Sequence, residues 1–445
     1  MNNPMLKSIL TKKGLALAIV IVLLHSLIAC ETTQPMGTPT ATHKQSATTP
    51  INTNPPALTA TLMPTPTNSV INNAACWPMQ VIGKRLLSGS LLYIYMIMDR
   101  VTGAPTAGGP GAFNLKAGYS KGLEKFLPRN ISPDGKILTE FTESKWVFLT
   151  QNGEVSYPIP DTILRKGSTY MFLPNDQMLW VGPSLNQKNT PSNLRDMYLF
   201  SPTTGKLTFV QSVSLPDNLW NPSKLHNDYL AELYSPDLKY VLYPANYQNT
   251  NISILLNIKS QGIVWYGWSG SDLGFYRPPL PYYTIETPVW RRDSSGVIFH
   301  RVDEKTGIQN LYNLSVDGQV SQLTHLEELF PGNKYVISSL SLSPNGQYLA
   351  FAVAQDSDIF PGRNSLLLIL DLGNETITNP CVTLANSPYP GRPVWSPDSS
   401  AIAIVPDAGN SIVAVDLNKK TLFNIFPKTG LDSDGLLGWI NWEIP

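Results

Sequence analysis

The stretch PVWSPDSSAIAIVPD, residues 393–407, joins a turn signal to an alternating strand. An apolar pair that ends in Trp395 is followed by Ser-Pro-Asp, and a β-rich run then extends to Val405. Proline presets φ for the first central position of a turn, and aspartate can accept a hydrogen bond from a backbone N–H two residues on. The stretch therefore predicts a tight turn between two strands.

Nearly the same phrase occurs elsewhere in the chain. Clear copies are NISPDGKILTEFT, LYSPDLKYVLYPA and SLSPNGQYLAFAVA, at 130–142, 233–245 and 341–354. Two degenerate copies, YMFLPNDQMLWVG and PVWRRDSSGVIFHR, stand in phase with them at 170–182 and 288–301. A spacing of roughly 40 to 60 residues is typical of propellers and other repeat arrays. We interpret each copy as the turn between the first two of four strands, a to d, in one blade.

The degenerate copies depart from the phrase at different places. The first keeps Pro174 and Asp176. The second keeps Asp293 and Gly296 but has two arginines where Ser-Pro would stand. We expect both to mark blades nonetheless, because each is followed by a β-rich run.

These units resemble the β-propeller repeats of the TolB-like family, whose blades share an aromatic-Ser-Pro-Asp-Gly stretch followed by an apolar strand. The resemblance extends by repeat over residues 130–442, and residues 77–129 are added to it by inference. It implies an all-β propeller of four-stranded blades. Blade number varies within the family, so it must be counted in this sequence.

The two ends of the repeat region each lack strands. The C-terminal segment LLGWINWEIP, 436–445, reads as an a strand with no partner downstream, and it contains Trp439 and Trp442. Residues 86–127 offer b-like and c-like strands without a preceding a strand. Pairing the two ends would complete one more blade and remove the open edges. With six internal units, this predicts a seven-bladed propeller; six or eight blades are the alternatives if a degenerate unit is misread.

The first residues of the chain are typical of an export signal. Lys7, Lys12 and Lys13 precede the apolar run GLALAIVIVLLHSLI, which is shorter than the ~18–20 residues that a spanning helix needs. The run leads into Leu-Ile-Ala-Cys30, which resembles the bacterial lipobox, where the cysteine receives diacylglycerol. We therefore expect residues 1–29 to be a lipoprotein signal peptide and Cys30 to become the lipidated N-terminus of an extracytoplasmic, membrane-anchored protein. An uncleaved anchor helix is the alternative.

A Thr/Pro-rich segment separates Cys30 from the repeats. Between residues 31 and 70 only Glu31 and Lys44 are charged. Such a composition buries too little apolar surface to offset the entropy of ordering the chain. We interpret residues 30–76 as a disordered tether for the propeller, 77–445.

Composition argues against one class of partner. Charged residues make up 14% of the chain, the formal net charge is zero and the pI is about 7.0. Nucleic-acid binding normally requires a basic surface. We therefore expect no nucleic-acid partner.

Two cysteines remain if Cys30 is lipidated. Cys76 opens the folded region, and Cys381 is expected in a late strand. An extracytoplasmic compartment permits a disulfide between them, which would fix the end of the tether to the propeller. Spacing does not give geometry, so two buried free thiols are the alternative.

No catalytic, cofactor or metal residue is predicted. GWSGS, 267–271, places Ser271 where a nucleophile elbow needs glycine, and no helical pattern follows it. DSDG, 432–435, reads as a turn because its glycine comes too early for an EF-hand. The sequence has no Cys-x-x-Cys, and no two of its histidines have ligand spacing.

One loop stands out as a candidate partner site. The segment 265–290 joins strand d of one blade to strand a of the next, and it is rich in aromatic residues and proline. Its candidate contact residues are Trp268, Phe275, Tyr276, Arg277, Tyr282 and Tyr283. Aromatic rings with an arginine are enriched in binding hot spots. Packing of these rings over the channel mouth is the alternative.

The sequence favours a membrane-anchored binding or scaffold propeller whose loop face takes a protein, peptide or glycan. The alternative is an extracytoplasmic propeller enzyme that acts on glycans. Paired carboxylates near the propeller axis would distinguish the two.

Overall fold

The computed structural model describes most of the chain from Cys76 onward. The described residues are 76–81, 87–98, 105–116, 119–123, 130–141, 145–159, 169–184, 194–214, 231–247, 250–268, 288–302, 308–331, 335–355, 365–384, 392–406, 412–425 and 431–444.

These residues form seven β-sheets, each of them one blade of a β-propeller, and we number the blades in chain order. The first strand, β1 (Met79–Val81), lies on the outer edge of blade 7. Blade 1 follows with β2 (Ser90–Met98), β3 (Pro105–Asn114) and β4 (Tyr119–Gly122). Blade 2 consists of β5 (Asn130–Ile131), β6 (Leu138–Phe141), β7 (Lys145–Thr150) and β8 (Gly153–Pro158). Blade 3 consists of β9 (Thr169–Phe172), β10 (Met178–Pro183), β11 (Leu194–Phe200) and β12 (Leu207–Ser214).

The remaining blades follow in the same order. Blade 4 contains β13 (Tyr240–Tyr247), β14 (Thr250–Asn257) and β15 (Gly262–Trp268). Blade 5 contains β16 (Val289–Trp290), β17 (Gly296–Val302), β18 (Gln309–Ser315) and β19 (Val320–Gln322), and the short helix α1 (Leu326–Leu329) comes after it. Blade 6 contains β20 (Tyr335–Leu342), β21 (Tyr348–Gln355), β22 (Leu366–Asp371) and β23 (Thr376–Thr378). Blade 7 contains β24 (Val394–Trp395), β25 (Ala401–Ile404), β26 (Val413–Asp416) and β27 (Thr421–Asn424), and β28 (Leu431–Ile440) completes blade 1.

The two ends of the repeat region close the ring, as the sequence predicts. Strand β28 pairs antiparallel with β2, with Leu91 opposite Trp439. The indole N–H of Trp439 donates to the carbonyl of Ser88 at 3.0 Å. Trp442 lies beyond the end of β28 but is buried as well. The seven-bladed all-β fold and its closure by strands from both ends are thereby confirmed.

Blade 4 lacks the full a strand that the sequence predicts from LAELYSPD. A turn of 3-10 helix occupies Ala231–Leu233, and a single bridge joins Tyr234 to Val241. The N–H of Ala231 donates to the hydroxyl of Thr169 in blade 3, and the N–H of Tyr234 donates to the carbonyl of Ala231. These backbone groups are already bonded, so they are not free to form a strand ladder.

Strand β1 is an addition that the sequence analysis did not predict. It pairs in parallel with β27, so that blade 7 has five strands. The N–H of Leu422 extends the pairing by donating to the carbonyl of Pro78 at 3.0 Å. The pairing covers an edge of blade 7 that would otherwise be open.

The core lies between the faces of neighbouring blades. Strands b and c are covered on both faces, which explains runs such as AIAI and LLLILD without polar alternation. Between blades 2 and 3, the rings of Trp146 and Phe200 meet edge to face at 4.3 Å, and Phe148 stacks on Phe200 at 5.5 Å. Such aromatic pairs add stability beyond the area they bury.

The repeated phrase forms the a–b turn, and its serine closes the turn. In blade 7 the Ser396 hydroxyl donates to the Asp398 carboxylate at 2.6 Å and accepts from the Ala401 N–H at 2.9 Å. The N–H of Ser400 donates to the same carboxylate oxygen at 3.1 Å. Blades 2, 4 and 6 repeat the serine bonds.

The degenerate copies form the same turn with other residues. One residue of each a–b turn has a positive φ; these are Gly135, Asp176, Leu238, Ser294, Gly346 and Ser399. In blade 3 it is Asn175, rather than Asp176, that accepts from a backbone N–H two residues on, that of Gln177 at 3.2 Å. Asp176 instead stands in the glycine place of the phrase, which corrects our alignment of this copy.

Candidate functional site

The candidate partner loop lies largely outside the described residues. Trp268 is the last residue of β15, and its backbone pairs with Ile252. Phe275, Tyr276, Arg277, Tyr282 and Tyr283 all lie outside the described residues, as does Cys30. β15 finishes at the end of its sheet opposite the a–b turns, and the segment 269–287 follows it in the chain. Its role in partner binding stays a prediction.

Cys76 and Cys381 are joined in a disulfide in the structure, with their Cα atoms 5.1 Å apart and 305 residues between them in sequence. Cys381 is not in a strand, contrary to our expectation: β23 ends at Thr378. The Cys381 N–H instead donates to the Asn379 side chain at 2.8 Å, in a turn where Cys381 has a φ of 60°. The bond fixes the start of the described chain to the segment that follows blade 6.

We predict that this disulfide forms in the native protein and stabilises it. Replacing both Cys76 and Cys381 with serine should cost about 2–4 kcal/mol of unfolding free energy, because the bond restricts a long loop in the unfolded chain. Cys30→Ser is the matched control and should leave the melting temperature unchanged. Peptide mapping without reductant measures the bond itself, and alkylation of both thiols before reduction would contradict the prediction.

The a–b turns form a hydrogen-bonded ring at one end of the propeller. The backbone N–H of Asp237 in blade 4 donates to the hydroxyl of Ser294 in blade 5 at 2.9 Å. The N–H of Asn345 in blade 6 likewise donates to the hydroxyl of Ser399 in blade 7 at 3.0 Å. The turns of blades 4 and 6 are thus each positioned by the turn of the next blade.

The ring of turns is interrupted at blade 1. Its a strand, β28, and its b strand, β2, come from opposite ends of the repeat region, so no turn connects them. A cavity of about 300 Å³ lies at this place, between the turns of blades 7 and 2. Residues that line it include Ser88, Asp134, Lys136, Asp398, Trp439 and Asn441.

Asp134, on the blade 2 side of the cavity, is held by its own turn. The Ser132 hydroxyl donates to it at 2.7 Å, and Lys136 forms an ion pair with it and donates its backbone N–H at 3.0 Å. Burial alone would raise the pKa of Asp134, but these hydrogen bonds outweigh burial and hold the pKa below its ordinary value. The side-chain amide of Asn441 donates to the Asp134 carbonyl at 3.0 Å. On this side of the cavity the negative charge of Asp134 is therefore balanced by Lys136.

Asp398, on the blade 7 side, is bonded differently. Three donors converge on its Oδ1 atom: the Ser396 hydroxyl, the Ser400 N–H and the Ser400 hydroxyl, at 2.6, 3.1 and 2.8 Å. Burial would raise the pKa of Asp398, but these hydrogen bonds lower it below its ordinary value. Asp398 is therefore anionic at neutral pH, and within the described residues its Oδ2 atom has no hydrogen-bond or ion-pair partner.

A second carboxyl pair joins blades 2 and 3. Asp176 lies within hydrogen-bonding range of Asp134. Burial, then the negative charge of Asp134, raise the pKa of Asp176 to about 6. Two like charges in contact disfavour ionisation of one of them. Asp176 is therefore the member of the pair that takes up a proton first as the pH falls.

We predict that Asp176→Asn stabilises the protein at neutral pH. The pKa of Asp176 is about 6 when folded against an ordinary 3.8, so its contribution to stability is fully present below pH 3.8 and is lost as pH rises through about 6. Asparagine removes the repulsion and tolerates the positive φ. The gain should be less than about 1 kcal/mol, since solvent screens this partly exposed pair.

Thermal melts of the wild type and of Asp176→Asn at several pH values measure this effect. The melting-temperature gain should be largest at about pH 7.5 and shrink toward about pH 4.5. Asp317→Asn, in the exposed c–d turn of blade 5, is the control and should give no gain. A gain of Asp176→Asn that does not depend on pH would contradict the assignment.

A buried polar network fixes the connection between blades 5 and 6 at the other end of the propeller. The Asn310 side chain accepts from the Leu326 N–H at 2.8 Å and from the Thr324 hydroxyl at 3.2 Å, and it donates to Glu327 at 2.9 Å. Asn310 is fully buried, so these bonds satisfy it and begin helix α1. The sequence analysis did not identify this network.

Two searches of the described residues were negative. No three His, Cys, Asp or Glu side chains among them are grouped so that they could hold a metal ion. None of the helices in the described part of the chain has the length and hydropathy that crossing a membrane requires.

The fold defines a class of protein, the closed seven-bladed β-propeller. No protein-family model and no curated protein matches the chain. Similar solved structures include TolB from Acinetobacter baumannii, with 13% identity and a TM-score of 0.36 over 79% of this chain and 82% of that one. An oligogalacturonate lyase from Vibrio parahaemolyticus has 11% identity and a TM-score of 0.42 over 77% and 87%. At these values the likeness does not extend to activity, substrate or partner.

Proposed function

We propose that the protein is a membrane-anchored, extracytoplasmic binding propeller that presents its loop face to a protein, peptide or glycan partner. The observation that carries the proposal is the closed ring, in which β28 and β2 pair and neighbouring turns hydrogen-bond to one another. A ring braced in this way fixes the strand ends from which the loops at its other end begin. Binding surfaces are commonly loops placed by such a rigid scaffold.

The lipid anchor is the second part of the proposal. It rests on Cys30 and the short apolar run before it, and the Thr/Pro-rich residues 31–70 would act as the tether. A tether of this composition gives the propeller reach without fixing its orientation. The partner would then meet the propeller at the membrane surface.

The alternative function is a propeller enzyme that acts on glycans. The described residues bring one pair of carboxyl groups together near a turn, and the geometry of this pair does not favour that alternative. Asp134 and Asp176 are in hydrogen-bonding range of each other. Retaining and inverting glycosidases hold their carboxyls about 5 Å or more apart, with the glycosidic bond between them. A pair in contact leaves no room for that bond.

Metabolic labelling tests the anchor. Labelled palmitate should enter the wild-type protein and not Cys30→Ala, and the mature N-terminus should be the modified Cys30. Cys76→Ala is the matched control and should label like the wild type. Labelling of Cys30→Ala, or a mature protein that still carries residues 1–29, would refute the anchor.

Site-specific photocrosslinking in cells tests the binding face. A photoreactive phenylalanine analogue at Tyr276 should give a discrete adduct, whereas the same analogue at Phe209, exposed on the outer strand β12, should give none. Adducts that are the same at both positions, or absent at Tyr276 and at Tyr283, would contradict binding through this loop. Release of reducing ends from envelope polysaccharide by the purified protein would instead support the enzyme.

A further inference from the structure

We infer that the cavity at blade 1 is a binding site for a cationic group, an ammonium or guanidinium, with Asp398 as its counter-ion. This site lies at the a–b end of the propeller and does not depend on the role of the candidate partner loop. The inference rests on how the cavity arises, on the charge of its walls and on a comparison with the other turns of the same chain.

The cavity exists because the ring has one turn fewer than it has blades. A hydrogen bond from Asp237 to Ser294 joins the turns of blades 4 and 5, and one from Asn345 to Ser399 joins those of blades 6 and 7. Blade 1 supplies no turn, since β28 and β2 are not consecutive in the chain. A space of about 300 Å³ is left, which is within the range of small-ligand pockets.

Two other turn aspartates, in blades 2 and 4, have a cation within their own turn. Lys136 forms an ion pair with Asp134, and Lys239 forms one with Asp237 at 2.9 Å. In blade 5 burial would raise the pKa of Asp293, but hydrogen bonds from Ser295 and, to a smaller extent, the charge of Arg291 lower it without an ion pair. A lysine two residues after the aspartate is therefore the arrangement of the turns of blades 2 and 4.

Asp398 departs from that pattern, and it is the turn aspartate of blade 7 that lines the cavity. Ser400 stands where Lys136 and Lys239 stand in their turns, so the turn provides no cation. The hydrogen bonds from Ser396 and Ser400 all go to Oδ1 and keep the group ionised, which leaves Oδ2 as an acceptor.

Apart from Lys136, which is ion-paired with Asp134, the cavity offers further acceptors. The side-chain amide nitrogen of Asn441 donates to the Asp134 backbone carbonyl. The Oδ1 atom of Asn441 has no donor among the described residues, so it can accept a hydrogen bond from a ligand. The indole N–H of Trp439 donates to the Ser88 carbonyl, so it is not available to a ligand. The ring forms part of the cavity wall. An ionised carboxylate, an amide oxygen and the Ser88 hydroxyl together suit a group with several donors and a positive charge.

Titration calorimetry on the purified full chain in detergent tests the site with defined probes. Nα-acetyl-arginine methylamide is compared with its citrulline analogue, which has the same shape without the charge. Glucosamine and N-acetylglucosamine form a second pair, which distinguishes a sugar ammonium from a peptide cation. We expect at least one cation to bind at least about tenfold more tightly than its neutral partner, as a charge-assisted hydrogen bond requires.

Two variants locate the binding. Asp398→Asn should weaken binding of the cation at least about tenfold. Ser400→Lys places a cation where the turns of blades 2 and 4 have theirs, so it should block binding while keeping the fold; unchanged thermal melts check that both variants are folded. Asp317→Asn, in an exposed turn away from the cavity, should bind like the wild type.

Each contrary result overturns the proposal. Equal binding of charged and neutral probes would show that charge is not recognised. No binding of either cation at millimolar concentration, or unchanged binding in both Asp398→Asn and Ser400→Lys, would exclude this cavity as a cation site.

Discussion

Removal of residues 436–445 should leave a protein that does not fold. The deletion takes away the last part of β28 and with it four buried side chains, those of Trp439, Ile440, Trp442 and Ile444. Loss of one large buried aromatic typically costs about 3–5 kcal/mol, and the whole net stability of a domain is about 5–15 kcal/mol. The deletion also exposes the edge of β2, which favours aggregation.

Expression and thermal melting of the truncated chain measure this outcome. The control is an equally long deletion from the Thr/Pro-rich segment, residues 41–50, which we expect to leave the melting temperature almost unchanged. If the chain without residues 436–445 is soluble and melts like the wild type, the closing strand is not part of the folded ring.

Gly89→Ala should be the most destabilising single substitution at the closure. Gly89 has a φ of +89°, and a Cβ atom there would lie 2.0 Å from the backbone carbonyl oxygen of Ile440 in β28. Neither strand can yield without breaking the pairing of β28 with β2. We expect a loss of roughly 3–5 kcal/mol, since strain at a positive φ and overpacking each cost about 1–3 kcal/mol.

Gly153→Ala separates the two causes of that loss. Gly153 also has a positive φ, +118°, but a Cβ atom there would meet nothing within 4 Å. It should therefore cost only the backbone strain, about 1–2 kcal/mol. Denaturant unfolding of both variants measures the difference. Equal losses would mean that the closure tolerates the added atom.

The sequence predicted the blades because their turns repeat a composition with a local physical cause. Ser-Pro-Asp recurs in phase, and in blades 2, 4 and 7 the serine and aspartate close the turn with the same hydrogen bonds. The closure followed from strands that lacked partners at both ends. These features depend on neighbours in sequence and on the requirement to remove open edges.

Features that depend on contacts between distant segments were not predicted. The pairing of β1 with β27 involves three residues and has no periodic signature. The shortened a strand of blade 4 depends on a hydrogen bond from Ala231 to Thr169 in another blade. The contact of Asp134 with Asp176 likewise arises only when blades 2 and 3 pack side by side.

The cavity could not be predicted from the sequence either. The sequence shows Ser400 at the position that Lys136 and Lys239 occupy in their turns, but it does not show that this turn lies beside a blade without an a–b turn. That turn is missing because the ring closes with strands from both ends of the repeat region. The candidate site is thus a consequence of the closure.

Cysteine cross-linking across the closure tests the closed seven-bladed ring most directly. Tyr93 and Leu436 are opposite each other in the pairing of β2 with β28, and residues so placed have Cα atoms about 4.5–5.5 Å apart, within disulfide range. In the Cys30→Ala background, Tyr93→Cys with Leu436→Cys should form a disulfide in the folded protein, whereas Tyr93→Cys with Val155→Cys should not. Absence of a cross-link between positions 93 and 436 in protein that melts cooperatively would contradict the closed ring.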